Sequence, residues 1–259
     1  MIDSLFVAAS GMHAQQIQLD TIANNLANVN TTAFKKNRVE FEDLMYRDVA
    51  VVGRLPGEVD GSKRVGIGAA VSNAGKIYTQ GDAKKTERAL DVTIQGSGFF
   101  EIILPDTSYG YTRAGSFSVD QDGMIVNSDG YMLSPLIRVP GDAEQINISA
   151  DGIVSVSLPD DSNVVEVGRI DLANFTNVGG LNPVGNNLYL PTNQSGDAIY
   201  SSAGQNGLGT LSQGYLETSN VSLVEELTNM MMAQRAYEIN SKVAQASDEM
   251  LGLVNNLRR

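Results

Sequence analysis

Few side chains in this sequence have a type and spacing that could support catalysis or metal binding. His13 is the single histidine, so no second imidazole is present to share a metal ion or complete a proton relay. The absence of cysteine excludes thiolate metal sites, thiol nucleophiles and disulfides. Carboxylates are plentiful, but the sequence assigns no pair of them to acid and base roles. We therefore predict no catalytic residue, no metal site and no cofactor.

Two short motifs resemble binding loops without completing one. The Gly-x-Gly triplets at 66–68 and 96–98 lack the third glycine and the following helix of a dinucleotide-binding loop. The run 120–123 resembles part of a calcium loop, but the glutamate that completes such a loop is missing at the required distance. We interpret this run as a solvated hairpin turn.

Composition and charge limit the classes of partner. The chain has 259 residues, 42% of them hydrophobic and 19% charged, as in soluble globular proteins. A net charge of -12 repels phosphate backbones, so we expect no nucleic-acid partner. No stretch approaches the roughly 20 apolar residues needed to span a bilayer, which predicts no membrane insertion. The first ten residues lack the features of a cleaved signal peptide.

Both ends of the chain carry helical patterns. Near the N-terminus, large apolar residues recur seven apart, a spacing typical of helices that pair along a heptad seam. Gly11 lies within the pattern and costs a helix about 1 kcal/mol relative to alanine, so this helix needs a partner. The seam positions are Leu5, Met12, Leu19 and Leu26.

The C-terminal pattern predicts a helix from Ser222 to Leu257. Ser222 and Glu225 have the spacing of a capping box, which favours the start of a helix. The two helices could form a hairpin within one monomer or pair in an assembly, and the sequence leaves both open. The C-terminal seam positions, again seven apart, are Leu223, Met230, Tyr237, Ala244 and Leu251.

Between the helices, short β-branched and aromatic runs alternate with glycine-rich turns. Asp122-Gly123, Asp129-Gly130 and Asp151-Gly152 predict tight hairpins of type I′. We predict strands next to these turns and at 90–94 and 99–104, which together define an antiparallel domain over 86–194. The segments 31–85 and 195–220 are predicted to be irregular connectors. The fold class is therefore α+β, with terminal helices pairing as a coiled coil around an inserted, mainly antiparallel β domain.

The terminal segments also carry a family resemblance, which extends over essentially the whole chain. They are similar to the two terminal signatures of the bacterial flagellar axial family, which contains rod, hook and hook-associated proteins. Within this family, the runs 41–46, 98–100 and 111–117 are most similar to the distal rod type. The signature residues are Asn24, Asn25, Leu26, Ala27 and Asn28 at one end, and Gln234, Arg235, Ala236 and Tyr237 at the other.

The resemblance implies a structural subunit, not an enzyme, that is exported unfolded by the flagellar type III system and polymerises into a straight hollow rod in the basal body. Residues 1–30 and 221–259 would form an inner helical polymerisation domain, with 86–194 outside. The connectors 31–85 and 195–220 would include a rod-specific segment at about 47–66. Implied partners are further copies of the chain, proximal rod and hook proteins, the P- and L-ring proteins, the export gate and a rod cap.

Three details complete these expectations. Phe41 and Met45 match the spacing of the family's export-gate recognition pattern, although simple packing would also explain them. Ala33 replaces a glycine common in relatives, from which we expect no positive φ at this turn. The competing hypotheses are a proximal rod or hook-type protein within the same family, or a secreted β-rich adhesin or binding module.

Overall fold

The protein divides into two compact units. The computed structural model describes residues 2–49, 63–158 and 161–257. The first unit contains the described parts of 1–27, 37–76 and 222–259, and the second contains those of 28–36 and 77–221. The chain therefore passes between the units at four points. The predicted division into inner domain, connectors and outer domain stays a prediction.

Two long helices belong to the first unit, as the heptad patterns predict. Helix α1 spans Ile2–Ala27 and helix α2 spans Leu223–Leu257. The predicted C-terminal helix differs from α2 by one residue at its start. Helix α1 ends directly before Asn28, whose side chain accepts a 3.1 Å hydrogen bond from the hydroxyl of Thr31. Asparagine side chains can also compete for backbone hydrogen bonds, which favours this residue at helix ends.

Four strands accompany the helices in the first unit. They are β1 (Asn37–Asp43), β2 (Tyr46–Val49), β3 (Lys63–Gly66) and β4 (Ala69–Lys76). Strand β1 pairs with β4 and β2 pairs with β3, both antiparallel. The expectation of an irregular connector was wrong here. Strand β1 does alternate charged and apolar residues over 38–42, a strand signal that sequence reasoning overlooked, whereas β4 is rich in small residues and shows no such alternation.

The second unit is built from antiparallel strands. A nine-stranded sheet has the order β16-β17-β8-β7-β11-β10-β9, with β15 pairing β7 and β18 pairing β15. Strands β12, β13 and β14 form a second sheet, while β19 pairs with β6 and β20 with β5. The strands are β5 (Ala83–Lys85), β6 (Val92–Gln95), β7 (Phe99–Ile103), β8 (Tyr109–Thr112), β9 (Ser118–Val119), β10 (Ile125–Val126), β11 (Met132–Ser134), β12 (Gln145–Ile148), β13 (Ile153–Leu158), β14 (Asp161–Arg169), β15 (Asp171–Asn174), β16 (Asn182–Gly185), β17 (Leu188–Leu190), β18 (Ile199–Ser202), β19 (Thr210–Gln213) and β20 (Tyr215–Glu217).

Alternation along β7 divides the core of the second unit between two faces. Phe100 and Ile102 point into the larger cluster, which also contains Phe117. Phe99 points into a smaller aromatic cluster with Tyr189, because successive strand residues face opposite sides. The predicted α+β class, with two terminal helices and a large antiparallel β domain, is confirmed at this level.

The three Asp-Gly turns connect antiparallel strands as predicted, but not as type I′ turns. The glycines have φ values of 80°, 84° and 89°, whereas the preceding aspartates keep negative φ. In the first hairpin, the Gly123 N–H donates to Asp120 O and the Asp120 N–H donates to Met124 O. This is a type I turn followed by a left-handed glycine, the usual three-residue hairpin. The same hydrogen-bond pattern recurs at 127–131 and 149–153.

Ala33 corrects another expectation. Its φ is 57°, so this turn does require the left-handed conformation although the residue is not glycine. The Ala33 N–H donates to the carbonyl of Glu217 at 2.8 Å, and the side chain is buried. These contacts hold alanine in a conformation that costs an L-residue roughly 1–2 kcal/mol.

Candidate assembly interface of the terminal helices

Helices α1 and α2 contact each other, antiparallel, through a seam of polar and small residues. The Asn25 side-chain amide donates to the Glu226 carboxylate at 3.3 Å. Two heptads away, a Cβ atom at Gly11 would lie 2.8 Å from the amide nitrogen of Asn240. A heptad further, the hydroxyls of Ser4 and Ser247 are 3.2 Å apart. Small residues let two helix backbones approach closely, and the three contacts here are separated by two heptads and then by one.

The predicted seam positions flank this contact. Leu223 and Tyr237 are 46% and 40% exposed in the single chain. The centre of the α2 seam lies three residues later in each heptad and includes Ala233, which is 2% exposed. The role of the predicted positions in polymerisation stays a prediction. Those that are half-buried are Leu5, Met12, Leu19, Leu26, Met230, Ala244 and Leu251.

Asn25, from the N-terminal signature, joins three elements of the first unit. Its side-chain oxygen accepts from the backbone N–H of Asn37 at 2.8 Å, and its amide nitrogen donates to the Asn37 carbonyl at 2.9 Å. The Asn25 amide group thus makes the two hydrogen bonds to the backbone of Asn37, the first residue of β1, that a neighbouring strand would otherwise make. Because the same nitrogen also donates to Glu226, Asn25 links α1, β1 and α2. The neighbouring Asn24 accepts from the Asn37 side chain at 3.2 Å.

The other signature residues are more exposed. Ala27 is exposed on α1, while Leu26 and Asn28 are half-buried. On α2, an exposed ion pair joins Arg235 and Glu238 at 3.1 Å, one turn apart. Such a pair contributes little to stability, so these signature residues belong to the exposed surface of α2 and do little to stabilise the fold. Gln234 and Tyr237 are exposed as well, and Ala236 is half-buried.

Large apolar side chains cover much of α2 outside the seam. Val224 is 73% exposed and Leu253 is 64% exposed, unlike the scattered apolar residues of an ordinary surface. Helix α1 adds Phe6 and Val7. We call the α2 set the apolar flank. It comprises Leu223, Val224, Leu227, Met231, Met232, Tyr237, Ile239, Val243, Met250, Leu253 and Val254.

The proposed export residues lie in the first unit. Phe41 is 42% exposed on β1, next to a bulge in its pairing with β4, and Met45 is 80% exposed between β1 and β2. Most of the rod-specific segment 47–66 lies outside the described residues, since these omit 50–62. At its start, Arg47 makes two hydrogen bonds, of 2.7 and 3.3 Å, to the carboxylate of Asp3.

The second unit contains a buried ion cluster. Glu217 accepts from the Lys35 ammonium, from Nε of Arg113 at 3.0 Å and from the Gly81 N–H at 3.0 Å. Lys35 also donates to the Thr79 carbonyl at 2.8 Å. Burial lowers the pKa of Lys35, while the charge and hydrogen bond of Glu217 oppose that shift. This cluster ties distant segments together, and sequence reasoning missed it.

The described residues supply no arrangement that suggests chemistry. His13 is exposed on α1. Across the described parts of the chain, no group of three histidine or carboxylate side chains could hold a metal ion. Within the same residues, neither helix is long and apolar enough to cross a membrane.

Comparison with known proteins defines the class. Residues 5–35 match the family model for flagella basal body rod proteins. Residues 93–156 match the D1 domain of the flagellar hook proteins FlgE/F/G, and 212–257 match the C-terminal segment of the FlgEFG basal-body rod proteins. The chain is therefore an axial protein of the bacterial flagellum, and both terminal signatures fall within the matched segments.

Individual relatives narrow this class. The chain is 47% identical over 264 residues to the flagellar basal-body rod protein FlgG of Borreliella burgdorferi, with both chains fully covered. It is 45% identical over 260 residues to FlgG of Buchnera aphidicola, covering 99% of this chain and 100% of the relative. FlgG of Bacillus subtilis is 39% identical over 266 residues, again with full coverage. The chain belongs to the FlgG family of flagellar basal-body rod proteins.

Family membership confirms several expectations. The protein is a structural component of the flagellar basal body, not an enzyme. Assembly with further copies and with neighbouring rod or hook proteins follows from that role. The more specific partners and the polymerisation residues are not tested by the family match.

Proposed function

We propose that this chain is the subunit of the distal rod, which polymerises into a straight hollow tube linking the motor to the hook. The apolar flank of α2 carries the proposal. The intramolecular seam consists of small and polar residues, so the large apolar side chains remain available for other copies. Burial of these side chains between copies stabilises the assembly by about 25 cal/mol per Å2 of apolar area. Assembly therefore also stabilises the helices that carry them.

In the assembled rod, α1 and α2 form an inner coiled-coil layer whose faces are shared between neighbouring copies. The predicted seam residues Leu223 and Tyr237 support this arrangement because they are exposed in the single chain. Knobs-into-holes packing needs such residues on the contacting faces of both helices. The outer surface of the tube is then built by the second unit.

Export precedes assembly in this proposal. Phe41 and Met45 are recognised by the type III export gate, and their exposure on the first unit supports a role other than core packing. The subunit adds under a rod cap, contacts proximal rod and hook proteins at its ends, and turns inside the P- and L-rings. The rod-specific segment at 47–66 stiffens the shaft.

Electron microscopy of negatively stained protein tests polymerisation. The full-length chain at high concentration should form straight tubes, whereas a chain lacking 1–30 or 221–259 should not. Tubes built by either truncated chain would refute the role of the helices.

A matched pair of point variants tests the apolar flank itself. Leu253 on α2 and Val164 in the second unit are each 64% exposed. We expect Leu253→Ser to raise the protein concentration needed for tubes several-fold, because it removes apolar area buried between copies. Val164→Ser should leave this concentration within about twofold, within the range of an ordinary surface substitution. Equal effects of both variants would contradict a specific role for the flank.

A further inference from the structure

Residues 208–220, which we call the closing segment, hold the separate sheets of the second unit together. They contain β19 and β20 and are almost the last part of that unit in chain order. Strand β19 pairs with β6 over four residues, from Thr210 with Gln95 to Gln213 with Val92. Among the described strands, β6 pairs only with β19. Without the closing segment, the backbone of a buried strand would lack its ladder partner.

The closing segment fits tightly against β6 and its following turn. Leu208 and Leu211 are buried in the larger core cluster. Between them, Gly209 donates its N–H to the carbonyl of Ser97 at 2.7 Å. A Cβ atom at Gly209 would lie 2.4 Å from the carbonyl oxygen of Gln95, which is backbone and cannot turn aside. Only glycine fits this approach without a shift of the chain.

One side chain in this segment fastens a second sheet. The Gln213 side-chain oxygen accepts from the Ile148 N–H at 3.1 Å, at the end of β12. Its nitrogen donates to the carbonyls of Ile146 at 2.8 Å and Ala89 at 2.7 Å. In the main chain, the Leu211 N–H donates to the Ala150 carbonyl at 3.0 Å. The β12–β13–β14 sheet is thereby connected to β6 through the closing segment.

The C-terminal end of the segment fastens the earliest residues of the unit. Glu217 pairs with the buried Lys35, and its carbonyl accepts from the Ala33 N–H. The side chain of Asn220 accepts from the Lys36 N–H at 2.7 Å and donates to the Ile77 carbonyl at 2.8 Å. Residues near the start of the chain are therefore joined to residues that follow them by more than 180 positions.

We propose that docking of the closing segment is the step that completes the second unit, so that no sheet in it becomes stable beforehand. Until then, Lys35 and Arg113 lack their carboxylate and β6 lacks its partner strand. A chain exported in the unfolded state would therefore remain open over nearly its whole length. The link between this folding order and export rests on the proposed function, but the folding order itself does not.

Pulsed hydrogen exchange during refolding of the full-length chain tests the folding order. Amides of the local β7–β8 hairpin and of the distant β6–β19 pair should become protected in one kinetic phase. Protection of β7–β8 in an earlier phase, with β6–β19 still exchanging, would overturn the proposal. Tube formation plays no part in this assay, so its result is separate from the test of rod assembly.

A glycine pair provides the matched variants. Gly209→Ala places its methyl against the Gln95 carbonyl, whereas a Cβ at Gly141 meets nothing within 4 Å. We expect Gly209→Ala to slow refolding of the second unit about tenfold, because docking takes place in the rate-limiting step. Gly141→Ala should change the rate less than about twofold. Faster unfolding of Gly209→Ala with unchanged refolding would place docking after that step and overturn the proposal. If Gly209→Ala does not refold, the pulsed hydrogen exchange of the unsubstituted chain alone decides between the two folding orders.

Discussion

Glu217→Gln changes the charge of a buried site while keeping the size of the side chain. In the folded chain, the Glu217 carboxylate lies between Lys35 and Arg113, and the three side chains are 5% exposed or less. Glutamine retains one acceptor oxygen, but its amide nitrogen points hydrogen atoms at one of the two cations. The substitution therefore removes the carboxylate that both buried cations contact and creates no cavity.

The expected magnitude follows from that geometry. Removing one partner of a buried ion pair costs about 3–5 kcal/mol, because the remaining charge has lost its hydration as well as its partner. Arg113 retains hydrogen bonds to the carbonyls of Gly98 at 3.0 Å and Gly96 at 2.7 Å, which stabilise its charge in part. We therefore expect the free energy of unfolding of the second unit to fall by about 3 kcal/mol, the lower end of that range.

Native-state hydrogen exchange on the full-length chain measures this value for the second unit alone. The control is Glu87→Gln, an equally conservative change at an exposed carboxylate. Adding Lys35→Met to Glu217→Gln should restore part of the lost stability, since one of the two buried positive charges is removed. A loss below about 1 kcal/mol for Glu217→Gln would refute the reasoning, because it is the size expected of an exposed pair.

Three further perturbations follow from the same structure. Asn25→Asp removes the donor to Asn37 and brings a second carboxylate against Glu226, so denaturant unfolding should show a loss of about 3 kcal/mol in the first unit. Ala33→Val places a β-branched residue at a φ of 57° and should lower stability in the same assay by about 2 kcal/mol. Burial raises the pKa of Tyr78 to about 12, so stability present below pH 10 should be lost as the pH rises through 12, as followed by tyrosinate absorbance.

Each of these predictions has a control in the same region. Asn24→Asp alters an exposed side chain and should cost less than about 1 kcal/mol; a loss equal to that of Asn25→Asp would contradict the assigned contacts. Ala33→Gly relieves the left-handed strain but loses a buried methyl group, so we expect a change within about 1 kcal/mol. Tyr78→Phe should reduce the alkaline loss of stability. An unchanged pH profile would exclude Tyr78 as its source.

Local signals in the sequence predicted the helices and the hairpins. A heptad repeat defines a helix by itself, and an Asp-Gly pair defines a turn within four residues. The turn type was wrong because I′ and type I with a following glycine both use glycine at a positive φ. The strand at 69–76 was missed because its small residues show no apolar alternation, whereas the strand at 37–43 was overlooked although Val39 and Phe41 alternate with charged residues.

The buried ion cluster was beyond the reach of sequence reasoning for a different reason. Lys35 and Glu217 are 182 positions apart, and each is of a type that usually lies on the surface. The pairing of β20 with β5 places Glu217 next to Gly81, and the Glu217 carbonyl accepts from the Ala33 N–H. A charged residue becomes a core residue when the topology supplies partners, and topology is a property of the whole chain.

The helices illustrate how an apolar repeat can be detected while its partner stays undetermined. An apolar repeat with a period of seven residues predicts that one helix face will be covered. It does not predict whether another part of the same chain or another copy covers that face. In this protein the intramolecular face is the one with Gly11, Ala233 and Ser247, which gains close approach and little apolar burial. This division favours polymerisation, because a large apolar seam within the chain would bury the side chains that contacts between copies need. The polar seam and the exposed apolar flank therefore fit the proposed polymer, in which contacts between copies would bury the apolar side chains that the monomer leaves exposed.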